Sequence, residues 1–290
     1  MPAAAVEPSR RFREIRLTTG ILARNPSALA GAVIIGAMLL TALLAGVLAP
    51  FDPIHISLAD RLQPPSAAHL FGTDEMGRDI LSRIMYGARI SLRIGLLVVA
   101  VAGGLGTVIG AVSGYLGRWA DGVIMRIMDV ILSFPSLVLA MALAAALGPS
   151  LTNAIMAVAF VMIPKFARLV RGEALAVREK QFVAAARISG EGSLSIIRRH
   201  IIPNCLNSVI VLATLAMGET ILIAASLSFI GLGAQPPSPE WGAMVSVGRK
   251  FIMDQWWYAT FPGLFILITV IGFNILGDAL RDVLDPRIRR

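Results

Sequence analysis

The 290-residue chain is 56% hydrophobic and only 15% charged, and its mean hydropathy is +0.76. Soluble domains carry roughly 25% charged residues, so this composition excludes an ordinary soluble protein and indicates a membrane protein. The formal net charge of +8 would suit nucleic-acid binding, but the positions of the charges along the chain argue against it.

Six apolar stretches are each long enough to cross a hydrocarbon core as a helix, which takes about 20 residues. The first follows an arginine-rich segment, and its apolar run is too long for a cleaved signal peptide, so we interpret it as an uncleaved anchor. Hydropathy alone leaves open a re-entrant segment among the six. Pro135, in the third stretch, is expected to kink it. The predicted spans are 27–49, 92–116, 127–148, 151–170, 206–230 and 261–281.

A long polar segment separates the first two spans. Towards its end, Ile80, Ile84 and Ala88 recur at helical spacing, which predicts an interfacial helix that leads into the second span. This outer segment either faces a soluble partner or packs on the membrane domain as a lid, and the sequence leaves both open.

Small residues in the second span predict close helix packing. Gly106, Gly110 and Gly114 are four residues apart, which places one smooth stripe on a helix. No strand precedes them, so they are not a nucleotide fingerprint, and the chain has no GxxxxGK[ST] phosphate loop. Its three histidines lack metal-ligand spacing, and Cys205, the single cysteine, is interpreted as a small packing residue at a helix start.

A basic island lies between the fourth and fifth spans, at Lys165–Asn204, with eight Lys or Arg against three Glu. Each ionic side chain would cost about 2.5–3.5 kcal/mol in hydrocarbon, so we expect the island to project into water as a docking surface. Its sequence predicts a helix, a break at Gly190 and Gly192, and a second helix capped by Ser193 and ended by Pro203.

Charge counting orients the chain. With alternating spans, 19 of the 26 Lys and Arg fall on the side of the N-terminus, the island and the C-terminus, which predicts that this side is cytoplasmic. The outer loops, 51–93 and 234–262, are charge-balanced. Aromatic residues in the second of these loops suggest a membrane-surface belt, with an aromatic gate as the alternative; they are Trp241, Trp256, Trp257 and Tyr258.

Glu219 is an acid near the middle of the fifth span. Its carboxylate either faces a translocation path, where it would meet a substrate amine or a cation, or is satisfied by a neighbouring helix. Near the third span, Arg126 and Asp129 are three residues apart and are expected to form a structural pair.

Three motifs carry a family resemblance: FVAAARISGEGSLSIIRRHIIPN at 182–204, FGTDEMGRDILSRIMYGARISL at 71–92, and LSFIGLGAQPPSPEWGAM at 227–244 followed by FNILGDALRDVLDP at 273–286. With them, the chain resembles permease subunits of binding-protein-dependent ABC importers. The likeness is to the second permease of the dipeptide, oligopeptide and nickel group, and within it to D,D-dipeptide permeases.

The first motif resembles the EAA loop of this family, which implies contact with an ATPase. Ala184 stands where the family pattern has Glu, and His200 stands where it has Ile. This departure weakens any requirement for the Glu carboxylate in docking. The residues that match the pattern are Ala185, Ala186, Gly190, Ile202 and Pro203.

The resemblance implies an all-α fold, a polytopic membrane protein with six transmembrane helices like the transmembrane domain of a type I ABC importer. The implied divisions are a cytoplasmic tail at 1–26, a first helix at 27–49, an outer segment at 50–91, a permease core at 92–282 with a coupling loop at 171–205, and a cytoplasmic tail at 283–290.

The implied function is half of a translocation pathway for dipeptides or related peptide-like solutes in a bacterial inner membrane. The implied partners are a second permease subunit in a heterodimer, two ATP-binding cassette ATPase subunits, a periplasmic or extracellular binding protein and membrane lipid, with no nucleic acid. ATP hydrolysis is expected on the partners, and neither a cofactor nor enzymatic activity is expected here. The alternative is a proton-coupled secondary transporter that uses Glu219, which paired broken helices in inverted repeats would support.

Overall fold

The computed structural model describes residues 26–284, and within this range its regular structure is helical, without a β-strand. The helices are α1 (Pro26–Leu48), α2 (Ile80–Leu116), α3 (Arg118–Leu132), α4 (Ser136–Leu147), α5 (Leu151–Arg178), α6 (Gln181–Ile188), α7 (Ser193–Phe229), α8 (Trp241–Gly248) and α9 (Trp256–Leu284). Short 3₁₀ turns lie at Leu58–Asp60 and Arg249–Phe251.

Five of these helices, α1, α2, α5, α7 and α9, are long and apolar enough to cross a membrane. The pair α3 and α4 would make a sixth span, but the two are bent by 89° at their junction. The expected third span is therefore not one continuous helix. Pro135 lies at the break, because its ring removes a backbone donor and disfavours helical geometry at the residue before it.

The packing of α2 against α5 confirms the predicted glycine stripe. A Cβ atom added at Gly106 would lie 2.5 Å from the Cβ of Phe166, and one added at Gly114 would lie 2.7 Å from the Cβ of Ala174. One added at Gly110 would strike the carbonyl oxygen of Ala167. The absence of side chains at these positions lets the two helix backbones approach closely.

The predicted interfacial helix and second span form the single helix α2, whose 37 residues extend about 55 Å. Asp79 caps its first turn by accepting a hydrogen bond from the backbone N–H of Ser82 at 2.8 Å. Ile80, Ile84 and Ala88 are fully buried, which confirms the predicted apolar face.

The outer segment packs on the helices through buried ion pairs. The Asp74 carboxylate is fully buried and contacts Arg78 Nε at 2.6 Å and Arg83 Nε at 3.4 Å. The hydroxyl of Tyr258, in the first turn of α9, donates to Glu75. These contacts show that the segment packs on the first turns of α2 and α9.

Most of the expected aromatic belt lies inside the protein. Trp241, Trp257 and Tyr258 are buried, and only Trp256 is half exposed, at 52%. Trp241 Nε1 donates to the carbonyl oxygen of Ile84 at 3.0 Å, which fixes α8 against the start of α2. The belt prediction is therefore wrong for these three residues, because α2 and the outer segment supply them with partners that local sequence does not show.

Candidate functional site

The segment that follows α5 forms an elbow, defined here as residues 181–204, which comprises α6, the turn after it and the first turns of α7. Its short helix α6 is anchored at one position, since Val183 is fully buried against an apolar cluster that also contains Ile196, Ile201 and Cys205. Cys205 is thus a packing residue, as predicted. The elbow is therefore packed against the apolar cluster at the end of α5 and the start of α7, to which the chain joins it.

Gly190 ends α6 in a Schellman motif. Its φ is +78°, its N–H donates to the carbonyl of Arg187 at 3.0 Å, and the N–H of Glu191 donates to the carbonyl of Ala186 at 3.0 Å. A positive φ favours glycine, so the predicted break at Gly190 has a backbone cause. Gly192 has an ordinary φ of −69° and does not require glycine for this reason.

The start of α7 differs from the prediction. Ser193 is the first residue of α7 and not its cap; the cap position is occupied by Gly192, which makes no side-chain hydrogen bond there. Instead, the Glu191 carboxylate accepts a hydrogen bond from Ser195 Oγ at 2.5 Å and lies 2.9 Å from His200 Nε2. The sequence did carry a signal for this contact, an acid placed four residues before a serine at a helix start.

Pro203 does not end the second helix, which continues through it to Phe229. A π-helical turn at Ile197–Ile201 precedes the proline, and the N–H of Ile202 donates to the carbonyl of Ile197. The wider turn places Pro203 at the start of the following α-helical stretch, where a missing backbone donor is tolerated.

The outer surface of the elbow combines exposed apolar and basic side chains. Ile188 is 88% exposed and Leu194 is 79% exposed. Of the residues expected to contact an ATPase, Ala184, Ala185, Gly190 and Pro203 are exposed, and Ala186, His200 and Ile202 are partly buried. Such apolar exposure beside Arg187, Arg198 and Arg199 is typical of a surface that a protein partner covers.

Four basic residues assigned to the island lie on α5. Three of them pair with an acid on another helix: Lys165 with Glu219, Arg168 with Asp129, and Arg171 with Asp121. The Arg168 contact is 2.5 Å, and Arg171 binds Asp121 through two nitrogens at 3.1 and 2.6 Å. The expected pairing of Arg126 with Asp129 is wrong, because Asp129 faces α5.

The Glu219 carboxylate therefore meets the ammonium of Lys165 from a neighbouring helix. The two side chains remain 36% and 44% exposed. Sequence reasoning found Glu219 but assigned Lys165 to the basic island, because periodicity does not show the depth of a single residue. Among residues 26–284, no three His, Cys, Asp or Glu side chains converge as the ligands of a metal would.

The sequence of the chain matches known families of membrane transport proteins, in agreement with this helical architecture. Residues 106–290 fit the family described as "Binding-protein-dependent transport system inner membrane component", and residues 16–65 fit the "N-terminal TM domain of oligopeptide transport permease C". The chain is 53% identical over 286 residues to the probable D,D-dipeptide transport system permease protein DdpC of Escherichia coli (strain K12), covering 98% of this chain and 96% of the relative.

Two further relatives come from other bacteria. The chain is 48% identical over 286 residues to the dipeptide transport system permease protein DppC of Alkalihalophilus pseudofirmus, covering 98% of this chain and 92% of the relative. It is 42% identical over 273 residues to the di/tripeptide transport system permease protein DppC of Pseudomonas aeruginosa (strain UCBPP-PA14), covering 92% and 90%. This chain therefore belongs to the family of binding-protein-dependent, multi-pass inner-membrane permeases.

Proposed function

We propose that this chain is one of two permease subunits of an ATP-driven importer of dipeptides or related peptide-like solutes, and that residues 182–204 couple it to separate ATPase subunits. The observation that carries the proposal is the elbow, an anchored projection with an exposed apolar surface, joined directly to two membrane helices. Neither the comparisons nor the fold supports the proton-coupled alternative.

The elbow has the mechanical properties that coupling requires. Val183 and Ile196 are buried on its inner side, so a force on the outer side reaches α5 and α7 through packed side chains. Interiors packed at crystal-like density transmit such displacements instead of absorbing them. Closure of ATPase subunits bound to Ile188 and Leu194 would thereby tilt the two helices that leave the elbow.

Membership of this family supports the proposal that the chain works with three kinds of partner: a second permease subunit, two ATPase subunits and a binding protein. Peptide-like solutes are proposed because the relatives named above are dipeptide, di/tripeptide and D,D-dipeptide permeases. We also propose that the elbow and both termini face the cytoplasm, since the excess of Lys and Arg lies on that side. In this arrangement the catalytic steps of ATP hydrolysis belong to the partner subunits.

Gly190 and Gly192 offer a matched test of coupling. A Cβ atom at either position would meet nothing within 4 Å, and only Gly190 has a positive φ. Gly190→Val should therefore strain the backbone by about 1–3 kcal/mol and distort the elbow, whereas Gly192→Val should not. In the purified importer in nanodiscs, with binding protein and dipeptide, Gly190→Val should lose most substrate-stimulated ATP hydrolysis and Gly192→Val should retain it.

Two results would contradict the proposal. One is a wild-type chain that inserts normally but copurifies with no ATPase subunit. The other is dipeptide uptake that collapses when a protonophore is added while ATP is still supplied, which would favour a proton-coupled transporter. In addition, equal substrate-stimulated ATP hydrolysis by Gly190→Val and Gly192→Val would show that coupling does not depend on the backbone conformation of the elbow.

A further inference from the structure

The ion pair between Lys165 and Glu219 lies far from the ends of α5 and α7 that face the outer segment. At 1.5 Å per residue, Lys165 is about 21 Å from the start of α5 at Leu151, and Glu219 is about 15 Å from the end of α7 at Phe229. A hydrocarbon core is about 30 Å thick, so both charges lie within its depth.

Both side chains are open on one face of the chain. The exposed fractions, 44% for Lys165 and 36% for Glu219, contrast with the fully buried carboxylate of Asp74. Lipid hydrocarbon does not accommodate charged groups at this depth, so water or another protein chain must cover this face. In a subunit that supplies half of a translocation pathway, a charged face that water covers would border the pathway.

We propose that Lys165 and Glu219 form a binding site for the two charged ends of a zwitterionic peptide, an inference that rests on the proposed peptide-import function. Glu219 would bind the peptide's α-ammonium group and Lys165 its α-carboxylate. A free dipeptide carries both charges near pH 7, since its terminal groups titrate near 8 and near 3.5. Its two residues span at most about 7 Å, which suits two adjacent side chains.

Charge balance explains why a paired site suits this solute. Without solute, the ammonium and the carboxylate neutralise each other across α5 and α7. When a zwitterion enters, one protein ion pair is replaced by two protein–peptide ion pairs, and the net charge of the site stays at zero. No uncompensated charge is left at a depth where its desolvation would cost several kcal/mol.

The neighbouring pair of Arg171 and Asp121 on α5 is held differently. Arg171 binds Asp121 through two nitrogens, and Asp121 also accepts a hydrogen bond from Ser113 at 2.6 Å. Lys165 is instead a compact charge on a flexible stem, which can turn towards a ligand without breaking a bidentate geometry. Arg168 follows Lys165 by three residues on α5 and pairs with Asp129, and both of these side chains are about half exposed. This second exposed pair provides a matched control.

The test removes charges from the protein and the peptide in turn. Wild-type, Lys165→Gln, Glu219→Gln and Arg168→Gln importers are reconstituted in proteoliposomes with ATPase subunits and binding protein. Uptake is measured for alanyl-alanine, its C-terminal amide and its N-acetyl form. Selection by the binding protein is common to all variants, so it cancels when ratios of uptake are compared between variants.

The expected results are specific to each charge. Lys165→Gln should lower the ratio of dipeptide to amide uptake by about tenfold or more and leave the ratio of dipeptide to N-acetyl uptake unchanged. Glu219→Gln should do the reverse, and Arg168→Gln should change neither ratio. If Lys165→Gln and Glu219→Gln lower the uptake of all three compounds by one factor, the pair is a structural tie and the assignment is wrong.

A second variant covers the case in which a single substitution prevents assembly. Lys165→Gln combined with Glu219→Gln removes both charges together and leaves neither partner as an unpaired ion. A structural tie predicts that both uptake ratios keep their wild-type values, and a peptide site predicts that both ratios fall by about tenfold or more. A wild-type importer that takes up none of the three compounds would contradict the proposed substrate class itself.

Discussion

His200 and Glu191 are joined across the elbow, with His200 Nε2 2.9 Å from Glu191 Oε2. The same carboxylate accepts a hydrogen bond from Ser195. The contact with Ser195 has the larger effect and that with His200 the next, and together they hold the pKa of Glu191 below its usual value. Glu191 follows Gly190 directly, so its carboxylate ties the turn after α6 to the first turns of α7. His200 thereby has a structural partner at the position where the family pattern has an apolar residue.

Glu191 should make the order of the elbow depend on pH. Because its folded-state pKa is lowered, its stabilising effect is present above the ordinary Glu pKa and is lost as pH falls through the lowered value. Hydrogen exchange at the elbow amides should be slower in the wild type than in Glu191→Gln at pH 6, with the difference vanishing under acidic conditions. Glu179→Gln, at an exposed acid beside the elbow, should match the wild type. A difference that persists at low pH would show that the carboxylate charge is not the cause.

The glycines of α2 should tolerate substitution only where the helix surface is open and not within the stripe that packs on α5. A Cβ at Gly114 would lie 2.7 Å from both the Ala174 Cβ and the Arg171 carbonyl oxygen, while one at Gly104 would meet nothing within 4 Å. Gly114→Ala should cost about 1–3 kcal/mol by overpacking. Gly104→Ala should be neutral or stabilising by up to about 1 kcal/mol, since alanine favours a helix. Thermal unfolding in detergent measures both, and equal midpoints would contradict close packing of α2 on α5.

The features that sequence predicted well depend on short-range periodicity. Apolar runs located the spans, and spacings of four residues found the buried face at Ile80, Ile84 and Ala88 and the stripe that packs on α5. Within the elbow, a positive φ at Gly190 was predictable because few other residues adopt that conformation. In each case the cause lies within a few residues of the effect.

The features that sequence missed depend on partners far along the chain. The sequence predicts Trp241 at a membrane surface, but its indole is buried and donates a hydrogen bond to the carbonyl oxygen of Ile84, 157 residues away. Asp129 was paired with its neighbour Arg126, although its partner is Arg168 on another helix. The continuation of α7 through Pro203 also required a π turn that no propensity predicts. Local pattern therefore gave the helices, and tertiary packing decided which charges and aromatic rings meet.

The buried carboxylate of Asp74 should be essential for the stability of the outer segment. Asp74 accepts hydrogen bonds from the backbone N–H groups of Met76 and Arg78 at 2.8 and 3.0 Å, and it compensates the charges of Arg78 and Arg83. Asp74→Asn leaves an excess of buried positive charge, so we expect a loss of about 3–5 kcal/mol in the free energy of unfolding. Asp254→Asn, at an exposed acid, is the control. Similar unfolding midpoints for the two variants would show that the cluster contributes little.

Glu240 should show the opposite pH dependence to Glu191. Its side chain is almost fully buried, and its Oε2 accepts a hydrogen bond from the backbone N–H of Ala243 at 2.8 Å, which caps α8. Burial raises the pKa of Glu240, against the opposing effect of hydrogen bonds from the backbone of Gly242 and Ala243 and from Ser228. The folded state therefore binds the proton more tightly than the unfolded state does.

It follows that the contribution of Glu240 to stability is complete below the ordinary Glu pKa and is lost as pH rises through the raised value. Glu240→Gln keeps an acceptor oxygen for Ala243 and cannot ionise, so its unfolding midpoint should fall less than that of the wild type as pH increases above the ordinary Glu pKa. Relative to Glu240→Gln, Glu240→Ala should lose the cap and about 1 kcal/mol at every pH. A constant offset between the wild type and Glu240→Gln over this range would show that Glu240 does not change its protonation there, and would assign its role to the hydrogen bond alone.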